Sequence, residues 1–144
     1  TRTTATNLSQ GRSSLNAATI GSYALFAGGS INSSSSSNAV DAYNTSLTKS
    51  TATTLSWSNT RILTGISMNG FALFCGGCTS ANSGYVNTAN AYNAFLTKTI
   101  PTGMSQSKSS SAAVKLGDYG LIAGGYGSSC GYSSAVDAYQ VSYS

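Results

Sequence analysis

The chain has 144 residues, the length of one ordinary domain, but only 7% of them are charged, against about 25% in a typical soluble protein. It carries seven basic residues, three acidic ones (Asp41, Asp118 and Asp137), no Glu and no His, for a net charge of +4. That excludes a Ser-His-Asp or Cys-His catalytic group and a histidine metal site, and the scattered cations lack the dense basic stripe of a nucleic-acid binder. No apolar run approaches the ~18–20 residues of a membrane-spanning helix, and 40% hydrophobic content in recurring blocks speaks against disorder.

The predicted elements are short strands, written three times. The first copy opens with TRTTATNLS (1–9), whose equivalents later in the chain are Thr-rich and suit an exposed edge strand, here called d. LNAATI (15–20) forms strand a, YALFA (23–27) strand b, and Gly28 and Gly29 stop it. The loop SINSSSSSN (30–38) leads to strand c, AVDAY, which ends on Tyr43. The second copy repeats the order: TKSTATTLS, LTGISM, FALFC with Gly76 and Gly77, the loop CTSANSGYVN (78–87), and TANAY ending on Tyr92. The third runs TKTIPTGMS, AAVKL, YGLIA with Gly124 and Gly125, the loop YGSSCGYSS (126–134), and AVDAY ending on Tyr139. Strand b recurs at intervals of 48 residues, and the copies cover about 1–47, 48–96 and 97–144 of a single domain. Pro101 falls in a strand d, where an edge position tolerates it.

A run of five apolar residues closed by glycines is too short for a helix. Asn69-Gly70 between strands a and b of copy two signals a tight hairpin. Each copy therefore predicts a four-stranded antiparallel sheet. Strand b is apolar on both faces, so each sheet must be sandwiched between neighbours, and repetition at this period builds a β-propeller or a related array. The glycine pair then marks where the chain turns sharply against the next sheet. A glycine doublet after an apolar strand, followed by an acid and an aromatic about a dozen residues on, resembles the kelch repeat. The matching residues are Gly28, Gly29, Asp41 and Tyr43, and Gly124, Gly125, Asp137 and Tyr139; copy two has Gly76, Gly77 and Tyr92, with Asn90 in place of the acid. The tryptophan usual in strand d of kelch repeats is missing, and Trp57 lies past that position. The resemblance implies an all-β kelch-like propeller. It does not transfer the copper chemistry of galactose oxidase, a kelch-like enzyme, because that site needs histidines.

Three such blades cannot close a ring of the usual ~4–8. The third copy lacks a strand d of its own, while residues 1–9 supply a spare one. The expected unit is a homodimer closed into six blades, in which the N-terminal strand of one chain completes the last blade of the other.

The recurring Asp41 and Asp137 read as structural parts and Asp118 as a turn residue, so no acid pair, metal or cofactor is expected and the chain reads as non-catalytic. Cys75 aligns with Ala27 and Ala123 and reads as a small buried residue; pairing of Cys78 with Cys130 stays open. In a four-stranded meander the b–c and d–a loops emerge on one face. That face gathers Arg12, Arg61 and Lys108 with Trp57, Asn32, Asn82, Tyr85, Tyr126 and Tyr132 as candidate ligand-binding residues. The expected function is recognition of a protein or glycan there, with no nucleic acid and no membrane insertion. The alternative is a structural or engineered self-assembling module without a natural ligand. The Ser/Thr/Asn richness and scarce charge resemble bacterial or phage surface proteins, implying an extracellular or surface-displayed setting.

Overall fold

The computed structural model describes residues 1–57, 60–80 and 83–141. They form an all-β structure of separate antiparallel sheets. Sheet 1 runs in the order β1 (Asn16–Ile20), β2 (Tyr23–Ala27), β3 (Val40–Tyr43), β4 (Lys49–Ala52). Sheet 2 follows the same plan with β5 (Thr64–Met68), β6 (Phe71–Cys75), β9 (Ala89–Tyr92) and the two-residue β10 (Lys98–Thr99). Sheet 3 has β11 (Ala112–Leu116), β12 (Tyr119–Ala123) and β15 (Val136–Gln140), and no fourth strand among the described residues. Two small hairpins, β7 (Cys78–Ser80) with β8 (Ser83–Tyr85) and β13 (Tyr126–Gly127) with β14 (Gly131–Tyr132), lie inside segments read from sequence as loops. Strand d of the second sheet stops at Thr99, before Ile100 and Pro101, so Pro101 is outside the strand predicted to hold it. A proline has no N–H to continue a ladder.

The sheets stack face to face, with β5 beside both β1 and β11. The register shows why strand b is apolar throughout. Ala18, Leu25 and Ala42 share one row of sheet 1, and this face packs on Ala72, Phe74 and Tyr92 of sheet 2. Leu73, Cys75 and Ala91 on the opposite face of sheet 2 pack on Ala113, Ile122 and Tyr139 of sheet 3. Each fully buried aliphatic side chain in these layers stabilises the fold by about 1.5–3 kcal/mol.

The glycine doublets act as predicted. Gly28 has φ +67° and Gly76 φ +65°, and a Cβ at either would lie 2.5 Å from the carbonyl oxygen of Thr60 or Lys108 in the next sheet. The second glycine of these two pairs donates its amide to that same carbonyl, Gly29 to Thr60 at 2.8 Å and Gly77 to Lys108 at 2.9 Å. Hence glycine is required twice over, for the left-handed backbone and for the close approach.

Residues 1–8 form no strand, yet their far end docks on sheet 1. The Tyr43 hydroxyl donates to the Thr6 carbonyl at 2.7 Å, and the Ser9 amide and hydroxyl donate to Asp41. Tyr92 to Thr53 and Tyr139 to Thr102 repeat the first bond, at 2.6 and 2.8 Å. Ser56 to Asn90, and Ser105 to Asp137, repeat the second. Each d segment thus reaches across to cap strand c of the sheet that follows it in sequence.

Candidate functional site

The loop face is built on three equivalent rows of backbone pairing, Ser13–Ser30–Ser36, Arg61–Cys78–Tyr85 and Ser109–Tyr126–Tyr132. These rows fasten each b–c segment to the segment entering strand a. The side chains of the second and third rows meet. Tyr85 lies edge-on to Tyr126 with ring centroids 5.8 Å apart, and Tyr126 edge-on to Tyr132 at 5.2 Å. Such contacts are the favoured aromatic geometry. Tyr126 is 40% and Tyr132 92% exposed, so the cluster presents a large aromatic surface held by two hairpins of different sheets. Of the sequence-predicted residues, the structure brings these three together. Trp57 is also exposed, and its carbonyl accepts from the Thr60 hydroxyl.

The cations behave differently from the expectation that they crowd the same surface. Arg12 turns inward. Its Nη1 bonds Asp41 at 2.9 Å, its Nε the Gly28 carbonyl at 2.7 Å and its Nη2 the Phe26 carbonyl at 3.1 Å, with both charged side chains wholly buried. Lys108 is also fully buried, with Nζ 3.4 Å from the Ala135 carbonyl it donates to. Both serve the packing of their own sheets. The spacing of the rows shows that Arg12 and Lys108 are equivalent to Thr60, and that Arg61 sits one residue later in its copy. The Arg61 side chain is correspondingly distinct. It is 6% exposed, its Nη1 lies 3.3 Å from the Ser30 hydroxyl, and its Nε and Nη2 find no partner. Those two donors form the edge of the guanidinium that binds carboxylates in a fork.

Asn32 caps its own loop, its Oδ1 accepting from the Ser34 and Ser35 amides. Asn82 lies outside the described residues. The three acids have separate partners, Asp41 accepting from Arg12 and Ser9, Asp118 from Asn69 and Asp137 from Ser105. All three cysteines are free thiols, with Cys75 and Cys78 buried. Among the described residues no three His, Cys, Asp or Glu side chains come together in metal-binding range, and no helix is long and apolar enough to cross a membrane.

The row pairing of Arg61 with Cys78 and Tyr85 went unread in the sequence because nothing marks the b–c segments as hairpins except Gly84 and Gly131, both at positive φ. The inward turn of Arg12 did leave a signal. Across the copies the pair Arg12 and Asp41 becomes Thr60 and Asn90, then Lys108 and Asp137, so the cation and the acid are lost and kept together.

No family model matches the chain, and no curated protein does. Solved structures share its fold. The structure of YjhT superposes with a TM-score of 0.78 at 13% identity, covering 94% of this chain and 44% of that one. The chain therefore spans less than half the length of that protein, and at this identity the likeness concerns the fold.

Proposed function

We propose that the chain is a non-catalytic recognition module. Its three sheets are three kelch-like blades of a β-propeller closed to six by a second copy, and its loop face binds a protein or glycan. The exposed Tyr85–Tyr126–Tyr132 cluster is the observation that carries this reading. Tyrosine supplies contact area at little entropic cost, and the surrounding Ser, Asn and Gly supply adaptable hydrogen bonds. The rings rest on a rigid two-hairpin base, and Tyr126 stays 40% exposed with the preceding sheet already in place. The charge-poor, hydroxyl-rich surface suits a surface-displayed setting. Screening the chain against glycan and protein arrays tests the proposal. A ligand found there should lose at least tenfold in affinity on Tyr126→Ala with the melting temperature nearly unchanged, and Tyr132→Ala should weaken it too, its affinity being read on protein of verified dimeric mass. Affinity indifferent to both changes would remove the cluster from the site. A structural module without a ligand is the second reading, favoured by the matching ends of the sheet stack.

A further inference from the structure

The two ends of the stack are complementary. In sheets 1 and 2 the face bearing Val40 or Ala89 is covered by the next sheet, and both residues are 0% exposed. The equivalent Val136 of sheet 3 is 61% exposed, and Leu116 is 66% exposed where Ile20 and Met68 are buried. At the other end, the outer face of sheet 1 is an open apolar groove of about 800 Å³, lined by Leu8, Leu15, Ala24, Phe26 and Leu47 among others. In sheets 2 and 3 the corresponding face receives its predecessor. The backbone is unfinished in the same sense. Gly29 and Gly77 donate to the next sheet, whereas the Gly125 amide has no such acceptor among the described residues. Near the stacked first strands, the Ile62 amide donates to Ser14 and the Ser110 amide to Ile62, a series that sheet 3 leaves open. Finally, among the described residues the outer edge of β15 has no partner strand, while Arg2–Ala5, equivalent to β4, lies exposed and in no strand.

The geometry points to one occupant for all of these, a second copy of this chain, in a seam that repeats the packing between sheets 1 and 2. This rests on the propeller reading above and specifies how the ring is joined. The exposed face of sheet 3 seats in the groove of the partner's sheet 1. Gly125 donates to the carbonyl of Arg12 of the partner, because Arg12 is the equivalent of Thr60 and Lys108. Residues 2–5 of the partner pair with β15 as the missing edge strand and continue to their caps at Tyr43 and Asp41. Two-fold symmetry makes the seam twice, so no sheet face of the stack is left open and β15 gains the edge strand that sheets 1 and 2 already have. The chain itself carries both halves of the contact in matching register, which an unrelated partner would have to imitate.

Paired cysteines test the seam. Thr19 and Ser67 hydroxyls are 3.0 Å apart across sheets 1 and 2, and the equivalent seam pair is Lys115 of one chain with Thr19 of the other. In a Cys130→Ser background, Thr19→Cys with Ser67→Cys should close within one chain and report that the sheets stack as described. Thr19→Cys with Lys115→Cys should instead give a covalent dimer on oxidation, because sheet 2 separates the two positions within a chain. Light scattering should give about 29 kDa, twice the 14.6 kDa chain. Val136→Lys should convert it to a folded species of half that mass. If the internal pair closes and the seam pair does not, the seam is wrong while the stacking stands; if neither closes, the propeller reading fails with it. A folded 14.6 kDa wild-type chain, a species larger than a dimer, or a Val136→Lys variant that keeps its dimeric mass also overturns the seam.

Discussion

Replacing Arg12 by threonine removes the cation of a pair in which both side chains are wholly buried. Asp41 then keeps only the Ser9 amide at 3.3 Å and the Ser9 hydroxyl at 3.0 Å, and its Oδ1 already has no partner. The Gly28 and Phe26 carbonyls lose the donors that met them at 2.7 and 3.1 Å. Breaking one side of a buried ion pair costs about 3–5 kcal/mol, most of it for the charge left behind. That is a large share of the ~5–15 kcal/mol stability of a typical domain. The second repeat suggests its own remedy, since it holds Thr60 and Asn90 at these two positions. Arg12→Thr combined with Asp41→Asn should therefore recover at least half of the loss. Urea unfolding at one fixed protein concentration measures both variants, and the double-mutant cycle isolates the coupling. A single-variant cost under about 1 kcal/mol, set against the 3–5 kcal/mol of a broken buried pair, would refute the reasoning. A double variant no more stable than the sum of its parts would do the same.

Arg61→Met should behave in the opposite way to Arg12→Thr. A buried guanidinium with two idle donors contributes little that a matching apolar side chain cannot, so the change is expected to be neutral or stabilising by up to about 1–4 kcal/mol in the same urea experiment; a loss as large as that of Arg12→Thr would show a partner for the fork. Alkaline pH should destabilise the fold. Burial pushes the Cys75 thiol from 9.0 up to about 12, so the unfolded chain releases this proton first and stability falls as pH rises from about 9 toward 12. Cys75→Ala should flatten that slope without abolishing it, because burial also raises the Tyr92 and Tyr139 hydroxyls; an unchanged slope would exclude the thiol as a cause. Gly76→Ala should be severely destabilising, since its Cβ would meet the Lys108 carbonyl and the Met104 methyl at 2.5 and 2.6 Å. Gly124→Ala meets nothing closer than the Ser133 carbonyl at 3.9 Å within its own chain, so it should cost the isolated chain only the ~1–2 kcal/mol of its left-handed backbone; comparing melting at low and high protein concentration would expose any added cost from a second copy.

The repeated strands were legible because each carries a signal that survives without tertiary context. Five apolar residues, a turn and a glycine pair fix strands a and b, and Tyr43 and Tyr92 fix the end of strand c, which in the third sheet runs one residue past Tyr139 to Gln140. The reason for the glycines was legible too, since an apolar strand with two buried faces needs a neighbour close enough to exclude a Cβ. Strand d was the weakest reading. Thr-rich segments gain their strand character from pairing, and only Lys49–Ala52 and Lys98–Thr99 find a partner strand within the chain. The loop face was legible as a location and only partly as a set of side chains. Topology carries Arg12, Arg61 and Lys108 to the same end of the sheets, but a one-residue offset decides whether a cation lies beside the Gly28 carbonyl, as Arg12 does, or beside Ser30, as Arg61 does. Adjacency in the chain cannot show that offset, although exchange of partners between copies does.

That exchange also separates the two kinds of polar residue on this end of the molecule. Asp41, Asn90 and Asp137 change together with Arg12, Thr60 and Lys108, and each accepts from the serine of a d segment. Asn90 and Asp137 tie the segment leaving one sheet to the next, Asp41 fastens the N-terminal segment to sheet 1, and a ligand would have to compete with those bonds to use them. Tyr126 and Tyr132 occupy rows whose counterparts in the first copy are Ser30 and Ser36, and Ser36 is buried and donates to the Thr79 carbonyl. Tyr85 holds the same place in the second copy and also turns to the following sheet, where it meets the Tyr126 ring, so the 92% exposure of Tyr132 belongs to the open end of the single chain. Tyr126 is 40% exposed with the preceding sheet already against it through Tyr85, and on a hairpin fixed by its backbone that ring is the one available for recognition.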